Sequence, residues 1–101
     1  MKIPSQFIIH GHTIKVILKE MDNSEENRYG YYDTIKEEIV IFRKMRDDNE
    51  LVTLTETQLL ATFLHELTHC FQWHLKGQTD EQEAQSYAGL MIEFLNTRNH
   101  E

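Results

Sequence analysis

Cysteine is almost missing from this chain. Cys70 is the one such residue among 101, so no disulfide can form within it, and a lone thiol suits a reducing compartment better than secretion. Proline occurs once, as Pro4, and glycine four times, which leaves no flexible linker or low-complexity tract to divide the sequence. No apolar run approaches the roughly 20 residues that a membrane-spanning helix needs. The opening MKIPSQFIIHGHTIKVIL is interrupted by His10, Gly11, His12 and Lys15 and does not read as a secretory leader. Basic residues are outnumbered too: 10 Lys+Arg face 17 Asp+Glu, a net charge of −7. Binding to a phosphate backbone needs the opposite sign. These absences point to a soluble, cytoplasmic protein with neither nucleic acid nor membrane as partner.

What is present suits a globular fold. Hydrophobic residues make up 40% and charged residues 27%, too apolar for a disordered chain, and the length fits a single domain over residues 1–101. The acid is concentrated late: residues 1–50 hold 8 basic and 10 acidic side chains, residues 51–101 only 2 and 7. Phe7–Ile9, a turn at Gly11–His12, and the alternating Ile14, Val16 and Leu18 read as a β-hairpin, with Pro4 ahead of it. Met21–Arg28 is polar and loop-like. Tyr29–Tyr32 and Glu38–Arg43 read as a second strand pair joined near Asp33–Lys36. Thr55 with Gln58, and Thr53 with Glu56, are overlapping capping-box patterns for a helix that Gly77 would stop. Thr79 with Gln82 would open a second helix, unbroken until about Asn96. The expected fold is α+β: a small antiparallel sheet of three to four strands in residues 1–50, packed on two helices in residues 51–101.

One pentapeptide carries chemistry: His65-Glu66-Leu67-Thr68-His69, an HExxH. Helical positions four apart lie one turn and about 40° from each other, so both imidazoles address one point, as a tetrahedral zinc ion requires. Glu66 can reach the attacking water without ligating the metal and would serve as general base. On a helical projection Leu59, Leu60, Phe63, Leu64, Leu67, Cys70, Phe71 and Leu75 share one broad face. His65 and His69 fall opposite its centre, which argues against core histidines; the alternative is a pair of solvated surface histidines.

A catalytic zinc needs a third protein ligand and one open position. The second helix offers Asp80, Glu81, Glu83 and Glu93, beside an apolar stripe of Ala84, Tyr87, Ala88, Met91, Phe94 and Leu95, with Leu90 at its margin. Glu83 borders the stripe one turn before Tyr87 and is the expected third ligand. Asp80 points inward but lies in the first turn, where a carboxylate commonly serves the helix end; it is the alternative. Glu81 falls on the far edge and Glu93 points away.

HELTH, followed by a helix bearing EQEAQSYAGLM and preceded by YGYYD and EEIVIFR, resembles the small zinc peptidases of the gluzincin class. The likeness is greatest to the ImmA/IrrE-like and phage-encoded minimal versions. It implies Zn2+ on His65, His69 and Glu83, Glu66 as catalytic base, and a peptide or protein substrate.

The function expected is therefore zinc-dependent peptide hydrolysis. The alternative is a non-catalytic, zinc-stabilised interaction module, whose site would be closed by a fourth protein ligand. The other candidates read more blandly. His74 falls mid-face as a packed core histidine, His10 and His12 as hairpin surface residues, and Cys70 as a small buried hydrophobe. Trp73 shares a face with His69 as a possible cleft wall, and Tyr29, Tyr31, Tyr32 and Tyr87 are possible oxyanion donors.

Overall fold

The computed structural model describes residues 2–98. Its order is β1 (Gln6–Ile9), β2 (His12–Met21), β3 (Gly30–Asp33), β4 (Glu38–Asp47), β5 (Glu50–Thr53), α1 (Glu56–Lys76) and α2 (Glu81–Thr97). Among the described residues no helix is long and apolar enough to cross a membrane.

The α+β division falls where the patterning places it, but the sheet is mixed rather than antiparallel. Its order is β1-β2-β4-β3, with β5 pairing the far end of β4. β1 and β2 form the expected hairpin, turning on His10 (φ 51°) and Gly11 (φ 80°). Two consecutive left-handed residues make a tight turn whose twist matches the strands. β4 then lies parallel to β2, from Lys15 opposite Glu38 to Met21 opposite Lys44. β3 is displaced to the edge, antiparallel to β4. The reason lies in β4 itself. Ile39, Val40, Ile41 and Phe42 are all buried, and a continuous apolar run belongs in a strand covered on both faces and both edges. The expected pairing of β3 with β4 forms, whereas the parallel contact of β4 with β2 and the strand β5 are not in the sequence expectation.

The polar, loop-like stretch that follows β2 fastens this crossover. Buried Asp22 accepts hydrogen bonds from Ser24 N–H, Arg28 N–H and Arg28 Nε. Arg46 of β4 donates to the Asp22 and Ser24 carbonyls at 2.7 Å each, and Asn27 pairs its amide with the Arg46 backbone. The Arg28 guanidinium holds the Asp22 carboxyl far below the usual carboxylate range, against the opposing cost of burial. Asp22→Asn should destabilise the fold by about 2 kcal/mol, since Arg28 is partly solvated. That is a melting temperature lower by roughly 10 °C. A depressed carboxyl stabilises above its unfolded value and stops doing so as pH falls through its folded one. The gap between wild type and variant should therefore hold at neutral pH and narrow below about pH 4. A gap independent of pH would refute the ionic account.

Ile14, Ile39 and Ile41 of the sheet meet Phe63, Leu64 and Cys70 of α1, with Ala88 of α2 closing the core. Cys70 is buried, as its place on the apolar face implies. The Thr55–Gln58 capping box forms, and Gly77 ends α1 in a left-handed conformation (φ 67°). α2 starts one residue later than expected, capped by Asp80, whose carboxylate accepts from Glu83 N–H.

Candidate metal centre

α1 crosses the sheet with α2 against its other side, so its polar face is covered as well as its apolar one. Thr62, Glu66, Thr68, His69 and Gln72 are all buried. His69 is 8% exposed and Glu66 7%, so the alternative of solvated surface histidines does not describe His69. The hydroxyls of Thr62 and Thr68 bond back to the carbonyls of Gln58 and Leu64, which leaves neither unsatisfied.

An open cleft of about 970 Å³ lies between β3, α1 and α2, with Tyr29, Tyr31 and Tyr32 on one wall and His65, Glu66 and His69 on another. Gly30 sets the approach of β3 to α1. A Cβ there would stand 2.6 Å from the Val40 carbonyl oxygen and 2.9 Å from Thr62 Cγ2, so glycine lets the edge strand lie directly over the helix turn preceding His65. Tyr87 and Trp73, proposed from sequence as site residues, are partly exposed and are not among the cleft's lining residues.

The carboxylate that meets both histidines is that of Glu81, not Glu83. Its oxygens lie 2.6 Å from His65 Nε2 and 3.1 Å from His69 Nε2, and the ligand atoms of His65, His69 and Glu81 lie within 4.8 Å of one another. The Glu83 carboxylate instead accepts from Gln72 Nε2 at 2.7 Å and meets Lys76 Nζ at 3.4 Å. The fallback, Asp80, is occupied as the cap. This difference from the helical projection has a physical origin. Tyr87, Leu90 and Phe94 are large and apolar yet exposed, whereas Ala84 and Ala88 are buried. Including the bulky trio rotates the inferred stripe toward Glu83. The real one runs through Ala84, Ala88 and Ile92, and Glu81 lies on it at helical spacing.

Sequence reasoning also missed Gln72, although its position three residues after His69 places it on the histidine face. Its Oε1 accepts from Asp80 N–H at 3.0 Å and its Nε2 donates to the Asp80 carbonyl and to Glu83. Those partners fix the amide's orientation. The His69 Nδ1 contact to Gln72 Oε1, at 3.0 Å, must then be a donation from the ring. The remaining nitrogen, Nε2, faces the Glu81 carboxylate at 3.1 Å. Such outer partners set the tautomer and aim of metal-binding histidines. Glu66 lies beside this group, its carboxyl pushed up by burial and by the Glu81 charge and pulled down by His69.

No protein-family model matches the chain, and no curated protein and no solved structure matches it.

Proposed function

We propose that this chain is a minimal zinc-dependent peptidase of the gluzincin kind, with the ion held by His65, His69 and Glu81. The convergence of three donor atoms carries the reading. The ligand atoms of His65, His69 and Glu81 lie within 4.8 Å of one another, and the bond from His69 Nδ1 to Gln72 turns the ring's Nε2 toward that point. Two imidazoles and one carboxylate are a donor set zinc favours, with a coordination position left for chemistry. Once bound, zinc would polarise the scissile carbonyl and acidify the attacking water.

The chain's own residues supply the rest. Glu66 is held in the cleft wall between the histidines' helix turns, takes the proton of the attacking water and passes it to the leaving amine. β3 pairs with β4 along one edge, and its tyrosines line the cleft. An extended peptide laid along its other edge would gain backbone hydrogen bonds and pass the metal ligands.

The test is zinc content by elemental analysis, on protein purified without chelator or added metal. His65→Ala/His69→Ala should contain about one zinc per chain less than wild type. Equal content in the two proteins would overturn the site, and with it the peptidase.

A further inference from the structure

Three further histidines, His10, His12 and His74, lie close together. His12 at the start of β2, Glu37 in the turn before β4 and His74 in the last turn of α1 bring their ligand atoms within 4.8 Å of one another. His12 Nδ1 is 2.9 Å from a Glu37 carboxylate oxygen, and His74 Nε2 is 3.6 Å from the same atom. The His12 and His74 rings lie 5.2 Å apart, and the His10 ring stands edge-on to His74 at 5.9 Å. His74 lies five residues beyond His69, about 140° around the helix, so the cluster belongs to a different face of α1 from the cleft.

We propose that His12, Glu37 and His74 form a second, structural binding site for a borderline divalent cation such as Zn2+, with His10 placed to supply a fourth ligand. Imidazole nitrogen with one carboxylate selects zinc-like ions over Mg2+ or Ca2+, which prefer oxygen. The geometry is already assembled. The His74 side chain is 9% exposed and that of Glu37 26%, and the Lys15 N–H bond to the Glu37 carbonyl fastens that turn to β2. His10 and Glu37 both hold left-handed backbone, φ 51° and 54°, which turns their segments at this point. An ion there joins three segments distant in sequence, the staple that a core of this size benefits from. No carboxylate analogous to Glu66 follows either ligating histidine in sequence, and four protein ligands would close the site, so it carries structure and not catalysis.

The site is independent of the cleft and is tested with the cleft ligands removed. His65→Ala/His69→Ala, shown folded by circular dichroism, should still bind about one equivalent of zinc in a titration against excess Mg2+. Adding His12→Ala and Glu37→Gln should weaken that binding at least 100-fold. Should the double variant not fold, the comparison is wild type with Glu37→Gln alone, which should hold about one zinc fewer per chain. Absence of zinc binding in the folded double variant, or binding indifferent to Glu37→Gln, would overturn the second site. Failure of the cleft site reads differently, as equal zinc content in wild type and His65→Ala/His69→Ala.

Discussion

Glu66→Gln is expected to abolish hydrolysis while leaving the zinc in place. The amide is isosteric with the carboxylate but cannot accept the water's proton, and losing a positioned general base commonly costs about 10²–10⁴-fold in rate. The substitution also removes a buried ionisable group, so the variant should melt no lower than wild type, and a collapse of activity could not be ascribed to unfolding. The assay is turnover of a mixed peptide library by the wild type and the variant, with zinc measured on both. Turnover retained in the variant would refute the mechanism. Zinc lost from it would mean that Glu66 is a ligand rather than a base.

The second large effect separates two neighbouring carboxylates. Glu81→Ala should lower zinc affinity by more than the roughly 10–100-fold typical of an outer-shell change, because it removes a ligand outright. Glu83→Ala removes one of two acceptors from Gln72, whose Nε2 keeps the Asp80 carbonyl. Its effect should stay within about tenfold, at the lower limit for an outer-shell partner. Competition with a chromogenic chelator measures both. The reverse order, with Glu83→Ala the more damaging, would restore the assignment made from the helical projection and refute the one made from geometry. The contrast is sharp because both residues sit in the first turn of α2 and share its helix propensity and charge.

Glu81 and Glu83 also mark how far the sequence reaches. The sequence by itself determined what depends on neighbours a few residues apart. The Thr55–Gln58 box, the Gly77 stop, a tight reversal at Gly11, the burial of Cys70 and the single-turn spacing of His65 and His69 all follow from local geometry and periodicity. The division into a β-rich half and a helical half follows from the same patterns. Only the tertiary structure decided which carboxylate meets the histidines, because that depends on the rotation of α2 about its axis. Its rotation is set by small Ala84 and Ala88 fitting against α1, not by the larger apolar residues that dominate a projection. Only the tertiary structure placed β4 between β2 and β3, since a buried run can pair with any strand and the crossover is secured by Asp22, Asn27 and Arg46 across long sequence separations. The gathering of His12, Glu37 and His74 has the same cause. Residues 25 and 37 positions apart share no local pattern, and their meeting follows from the packing of α1 on the sheet.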